Sequence, residues 1–375
     1  MKKYFYILVF AVLMGGLTSC NDWLDVSPKD RIPADKMFES ESGFKDILTG
    51  AYLKLGTANL YGGDMKYGYL DELAGLYCDY PGYNTNSVYN QAIVFDYTNQ
   101  FLSKKDNLYL EMYNVVANLN NLLQNIETHR DVLKTPHYYE CIKGEALGLR
   151  AFIYFDLLRL FGPIYSEHPT DAAIPYKTTY DKEPTPVLPA NQVVEKILED
   201  LKAAEALLKD NDPCDFHTAI DQRTDFLSNR EFRMNLYAVK AMMARVYCYS
   251  GQNDLAVQYA QEVIDANKYF TLYKSQTASN YNSIRYGEQI FGLSVNQLNN
   301  TLISNSMDME NTSVQQRYGM TADMFTKVYE GITSDWRQNV VAFNWDESHQ
   351  YAVCLKYNQA PVAKTYLYSG ADAIP

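Results

Sequence analysis

The chain has 375 residues, enough for one large or two ordinary domains, and a 47% hydrophobic content supplies ample core material. With 21% charged and 14% aromatic residues it does not have the composition of a disordered chain. Its formal net charge of −12 argues against nucleic acid, whose binding needs Lys and Arg to neutralise phosphates.

The N-terminus reads as a signal peptide over residues 1–19. Lys2 and Lys3 form its positive region, and Tyr4 to Leu17 is apolar and uncharged, too short to span a membrane comfortably. It ends in Leu17-Thr18-Ser19-Cys20, the pattern of a lipobox, so Cys20 is the expected lipidation site and the first residue of the mature chain. Two or three acyl chains, each buried CH₂ contributing about 0.8 kcal/mol, make such an anchor essentially permanent. Cleavage removes two lysines and no acids, leaving the body more acidic still. Five further cysteines, at 78, 141, 214, 248 and 354, are scattered and odd in number. They imply no disulfide framework, and residues such as Cys141 and Cys248 read as buried free thiols on helices.

Helical periodicity then dominates. Phe44, Ile47, Leu48, Ala51, Tyr52 and Leu55 share one helix face, as do Leu108, Met112, Val115, Val116, Leu119, Leu122, Leu123 and Ile126. Residues 138–161 are apolar on almost every side, which predicts a helix lying between other helices and ending at Gly162-Pro163. Pro189 and Asn191 announce the next helix, which carries Val193, Ile197, Leu201, Ala204 and Leu208 to about Lys209, before Asp212-Pro213. Residues 232–266 read as a helix hairpin with a turn at Gly251, and Ala244, Tyr247 and Ala256 have the small-aromatic-small spacing of a tetratricopeptide repeat. The fold class expected is all-α: a tetratricopeptide-like stack of helix pairs in a single domain, 20–375, with long irregular aromatic-rich insertions.

Two stretches break the pattern. Residues 57–101 carry Tyr61, Tyr67, Tyr69, Tyr77, Tyr80, Tyr83, Tyr89 and Tyr97 among Gly, Asn and Asp, and residues 273–318 are rich in Asn, Ser, Gln and Tyr. Long loops rich in aromatics are more often functional than disordered.

From Cys20 almost to the end, the chain resembles the SusD-like (RagB/SusD) family. The resemblance begins with Cys20-Asn21-Asp22-Trp23-Leu24-Asp25, Pro28 and Gly50-Ala51-Tyr52. Its most specific part is Glu145 to Leu157, with Leu149-Arg150-Ala151 at its centre, leading to Phe161-Gly162-Pro163. It continues through Ala173-Ile174-Pro175-Tyr176, Ile197 to Leu201, Ala241 to Gly251 and Glu288-Gln289-Ile290-Phe291. Two features depart from it. The arginine that often precedes the helix of 191–209 is absent, Val187 and Leu188 standing there. The sequence also stops at Ala373-Ile374-Pro375, near where family members begin a last pair of helices, so the C-terminal helices are expected to be lacking.

The resemblance implies a non-enzymatic surface lipoprotein, displayed on the outer membrane through its lipid. It would act as the lid of a SusC-like TonB-dependent transporter and capture oligosaccharide, or in some members peptide, for import. The residues point the same way. The apolar face of a sugar ring lies against a Tyr or Trp ring while its hydroxyls need Asn, Asp, Gln or Arg. Tyr67, Asp79, Tyr80, Tyr83, Asn84 and Tyr89 are the first candidates for ligand binding, with Tyr286 and Trp345 next. A scaffold for a protein partner is the alternative outside nutrient capture, and would present its aromatics along a helical groove rather than on loops.

Nothing suggests catalysis. Asp71-Glu72 is acidic, but adjacent residues do not face one another across a cleft, so the pair reads as a solvated face. There is no Gly-x-Ser-x-Gly, Walker loop, His-Glu-x-x-His or Cys-x-x-Cys. The histidines at 129, 137, 168, 217 and 349 are scattered, so neither a metal nor a cofactor is expected. Asp335-Trp336-Arg337 reads as a structural pairing.

Overall fold

A computed structural model describes residues 36–66, 69–75, 91–92, 94–216, 225–272, 286–295, 319–332, 335, 343–346 and 350–354. The first helix, α1 (Glu41–Leu55), starts where the Ser40 hydroxyl accepts the amide of Gly43 at 3.3 Å, with Glu41 in its first turn. It buries Phe44, Leu48, Ala51, Tyr52 and Leu55, the stripe expected from the sequence. A short helix, α2 (Tyr69–Leu73), follows within the first insertion, and then the long α3 (Asn99–Thr128).

α4 (Tyr138–Phe161) is buried on nearly every side and ends at Gly162, where the following proline cannot continue it. α5 (Ala190–Leu208), α6 (Leu236–Tyr249) and α7 (Asn253–Ile264) complete the stack. α6 is capped by the Asn235 side chain, which accepts the amide of Ala238 at 2.9 Å. Packing runs in near-sequential order, with α1 on α3, α3 on α4, α4 on α5, α5 on α6 and α6 on α7. This is the architecture of stacked helix pairs, with α4 at its centre. The repeat spacing is realised at the hairpin, where Tyr247 is buried and stacks on Tyr259 at 5.7 Å.

Strands are few and short. β1 (Ala172–Pro175) pairs antiparallel with β2 (Val187–Pro189) between α4 and α5. β3 (Gly319–Thr321), β4 (Phe343–Asp346) and β5 (Tyr351–Cys354) form an antiparallel sheet in the order β3-β5-β4, with α8 (Ala322–Tyr329) following β3 directly.

Two buried arginines tie the stack together. Arg150 on α4 grips Asp200 on α5 through two hydrogen bonds of 2.7 Å and donates to Asn120 on α3 at 2.8 Å. Asp200 also accepts the Tyr176 hydroxyl at 2.6 Å, and the Tyr176 ring stacks on Tyr154 at 3.8 Å. The central arginine of the Leu149-Arg150-Ala151 motif therefore joins three helices and the chain leaving β1. Arg230, fully buried, donates to Glu145 on α4 at 2.5 Å and grips Asp212 at 2.9 and 3.1 Å. Glu145 accepts in turn from the Tyr52 hydroxyl of α1 at 2.6 Å, and that oxygen takes the Met234 amide at 2.8 Å.

Gly148 lets the segment entering α6 lie against α4. A methyl group there would stand 2.5 Å from Cγ of Met234 and 3.2 Å from Cγ2 of Val239. Gly148→Ala should therefore cost about 1–3 kcal/mol in a urea titration, although alanine favours helices intrinsically. A stabilised variant would show that the two elements are not so closely apposed.

Two expectations need correction. Cys141 is a buried free thiol, but Cys248 is exposed on α6, because its position falls on the side turned away from α5 and α7; Cys214 is free and half-buried. Glu72 is buried at 2% exposure, and Asp71 is half-buried, so the pair is not a solvated face; α2 turns it inward together with Tyr69.

Candidate ligand-binding surface

Cys20, Tyr67, Asp79, Tyr80, Tyr83, Asn84 and Tyr89 lie outside the described residues. Tyr286 opens a single 3-10 turn, Tyr286–Glu288, and Trp345 belongs to β4, where it is paired with Ala352 of β5. Of the predicted ligand contacts, then, the described residues include the backbone positions of Tyr286 and Trp345 only.

The roots of the tyrosine-rich insertion are nevertheless well defined. From Gly56 onward the chain folds into hydrogen-bonded turns: the Tyr61 amide donates to Leu55, that of Gly62 to Thr57 and that of Met65 to Leu60. Leu60, Tyr61, Met65 and Tyr69 are buried. Two of the tyrosines counted within the insertion, Tyr61 and Tyr69, are thus core residues.

The Tyr61 hydroxyl donates to Asp156 on α4 at 2.6 Å, and its ring packs on Phe152 at 5.1 Å. Burial and the neighbouring Asp156 charge push the Tyr61 phenol far above its usual range, so it stays a donor. Lys104 on α3 pairs with Asp64 at 2.7 Å. Where the insertion returns to α3, Tyr69 and Tyr97 both pack on Phe101 with ring centroids at 4.8 Å. Val94, Phe95 and Tyr97 are exposed there, and Phe95 adopts a left-handed φ of 56°, a strained conformation for a bulky residue. Apolar side chains at 70%, 59% and 50% exposure are a surface that a ligand or partner could cover.

Beside this root, at the C-terminal end of α4, lies a groove of about 290 Å³ lined by Arg159, Gly162, Pro163, Ile164, Tyr165, Ser166 and Tyr249. The rings of Tyr165 and Tyr249 stand 5.2 Å apart, tilted by 41°. Tyr249 also meets Phe155 edge to face at 5.3 Å. The Arg159 guanidinium lies over Phe155 at 4.9 Å and hydrogen-bonds Asp156, the carboxylate that holds Tyr61. Sequence reasoning missed this groove. It took residues 232–266 only as a helix hairpin and Gly162-Pro163 only as a helix stop; the usable signal was an aromatic two residues past that stop.

A larger depression of about 570 Å³, lined by Glu39, Ser40, Glu41, Asp131, Val132, Lys134, Thr135 and Pro136, has no aromatic wall. Its Glu41 carboxylate is already occupied by the amides of Lys134 and Thr135 at 2.5 and 2.6 Å and by the Thr135 hydroxyl at 2.8 Å. Burial alone would raise the Glu41 pKa, but the bonds from Thr135 and Lys134 outweigh it and hold the carboxyl below its usual range. Among the described residues no group of three or more His, Cys, Asp or Glu could hold a metal ion, and no helix is long and apolar enough to cross a membrane.

Comparison with known proteins gives a consistent set of relatives. A SusD-like family model, described as starch-binding and associating with the outer membrane, matches residues 22–248. SusD-like protein P2 of Formosa agariphila is 24% identical over 277 residues, covering 72% of this chain and 48% of that protein. SusD-like protein P38 of the same organism is 26% identical over 214 residues, covering 55% and 38%. The chain spans about half or less of the length of these curated relatives. Among solved structures, a putative sugar binding protein from Bacteroides vulgatus superposes with a TM-score of 0.66 at 18% identity, covering 86% of this chain and 68% of that one. A SusD superfamily protein from Bacteroides thetaiotaomicron gives 0.63 at 17% identity, covering 89% and 72%. At such identities the structural likeness establishes the fold alone.

Proposed function

Because the chain belongs to the SusD-like family, we propose that it is a glycan-capture lipoprotein of the cell surface, binding oligosaccharide without cleaving it and passing it to a SusC-like TonB-dependent transporter. In this reading Cys20 carries the lipid that holds the body at the outer membrane. The helical stack is a rigid support, and the aromatic insertions do the gripping. Tyr67, Asp79, Tyr80, Tyr83, Asn84 and Tyr89 remain the proposed contacts, with Tyr286 and Trp345 behind them.

The observation that carries the reading is the way the 57–101 insertion is rooted. Tyr61 and Tyr69 are buried, Asp156 and Asp64 receive hydrogen bonds, and between two ordered ends the chain carries further tyrosines and asparagines. Fixing a chain at both ends lowers the ordering entropy that binding between them must overcome. A flat ring with a hydroxyl suits a sugar's mixed faces.

The test is affinity electrophoresis of the lipid-free body through gels containing amylopectin, xylan, mannan, inulin or chondroitin sulfate. At least one polysaccharide should retard the protein without being shortened. Tyr80→Ala and Tyr83→Ala should each weaken that retardation severalfold. Cleavage of the retarding polysaccharide at a catalytic rate would refute the assignment, and unchanged retardation in both variants would remove the loop contacts from it.

A further inference from the structure

We infer that the groove formed by Arg159, Tyr165 and Tyr249 is a second sugar subsite, taking one pyranose residue of the captured polysaccharide. The inference rests on the glycan-capture reading and extends it to a part of the surface that the aromatic loops do not form.

Three features make the groove a built site. Its walls are aromatic: Tyr165 and Tyr249, 5.2 Å apart and tilted, present an apolar face wide enough for the C–H side of a sugar ring. It also offers oriented donors. The Arg159 guanidinium has several N–H groups in a fixed fork, and its stacking on Phe155 and its bond to Asp156 set the direction of that fork. Finally, the floor is held in place by the packing beneath it. At Gly162, where the loop turns across the end of α4, a methyl group would stand 2.6 Å from the Leu158 carbonyl oxygen and 2.9 Å from its Cδ1, so the backbone lies as close to the helix as a glycine allows. The volume of about 290 Å³ is at the lower end of ligand sites, the scale of a sugar ring rather than of a long oligomer.

Asp156 stands against the Arg159 guanidinium, and a second guanidinium, that of Arg245, lies over the same Phe155 ring at 5.6 Å, so the groove offers charged N–H donors to the hydroxyls of a sugar. The same carboxylate accepts the Tyr61 hydroxyl at the root of the insertion. The groove and the root of the insertion thus meet at Asp156.

The experiment uses the same five polysaccharide gels with Tyr165→Ala, Tyr249→Ala and Tyr249→Phe. Both alanine variants should lose about tenfold in affinity for the polysaccharide that retards the wild type, as expected for removing one stacking wall from a two-point contact. Tyr249→Phe, which keeps the ring, should bind within about twofold of wild type. Should Tyr249→Ala fail to fold because Phe155 loses its edge-to-face neighbour, Tyr165→Ala decides the question. Wild-type retardation with undiminished binding by the folded alanine variants overturns the subsite and leaves glycan capture standing. No retardation of the wild type by any of the five overturns both.

Discussion

Arg230→Ala should remove about 3–5 kcal/mol of stability, because it takes the nearest cation from two buried carboxylates. Arg230, Glu145 and Asp212 all have fully buried side chains, and the guanidinium makes three hydrogen bonds of 2.5 to 3.1 Å to the two acids. Burial alone would pull the guanidinium pKa down, but the charges of Glu145 and Asp212 hold it well above its ordinary value, so it is cationic throughout any useful pH range.

Without that cation Glu145 keeps the Tyr52 hydroxyl and the more distant Arg233 guanidinium at 3.8 Å, while Asp212 keeps the amides of Cys214 and Leu236. The two amides do not replace a charge for Asp212 in a low-dielectric interior, and Arg233 at 3.8 Å replaces it only in part for Glu145. Against a typical total of about 5–15 kcal/mol, the loss is a large fraction of what holds a domain folded. Urea titration of wild type, Arg230→Ala and Arg230→Lys should place lysine between the other two, since it restores charge but not the two-pronged grip on Asp212. A loss under about 1 kcal/mol for Arg230→Ala, the range of an exposed pair, would contradict the buried geometry.

The helices were readable in the sequence where a single apolar face was turned to a neighbour. The stripe from Phe44 to Leu55, the all-round apolar run of 138–161 with its stop at Gly162-Pro163, and the hairpin around Gly251 each fall on an observed element. α3 begins at Asn99, nine residues before the stripe starting at Leu108, because its opening turns carry Ser103, Lys104, Lys105 and Asp106 and show no apolar period. Strands of three or four residues are too short to display an alternation, which is why β1 to β5 went unread.

The arginine networks were equally invisible. Arg150 and Asp200 are 50 positions apart, and Arg230 and Glu145 are 85, and nothing local couples them. At the candidate site, tyrosine abundance could not sort rings by role. Tyr61 and Tyr69 turned inward because Asp156 and Phe101 were there to receive them, and Tyr165 and Tyr249 meet only after α4 and α6 have packed.

Alkali should unfold the protein cooperatively above the ordinary tyrosine pKa of about 10. Tyr52, Tyr61 and Tyr176 each donate to a buried carboxylate, Glu145, Asp156 and Asp200 respectively, at 2.6 Å. In all three burial, and then the charge of the partner acid, push the phenol pKa well above its usual value. A group whose folded pKa is raised contributes stability in full below its unfolded pKa, about 10 for tyrosine, and loses it as pH climbs from there toward the folded pKa. Each such phenol can tilt the balance by about 1.4 kcal/mol per pH unit, so three together approach about 4 kcal/mol per unit. Set against about 5–15 kcal/mol of total stability, that slope brings unfolding within about one to four units above pH 10. Urea-derived stability should begin to decline above about pH 8.5, where the unfolded thiols of Cys141 and Cys214, both pushed up in the fold by burial, ionise, and fall steeply above about pH 10, with helical dichroism lost in the same step in which tyrosinate absorbance rises. Replacing Tyr61 and Tyr176 by phenylalanine should lower the starting stability by the lost hydrogen bonds yet flatten the slope by about 3 kcal/mol per unit. An equally steep decline in that double variant would place the alkaline sensitivity on other groups.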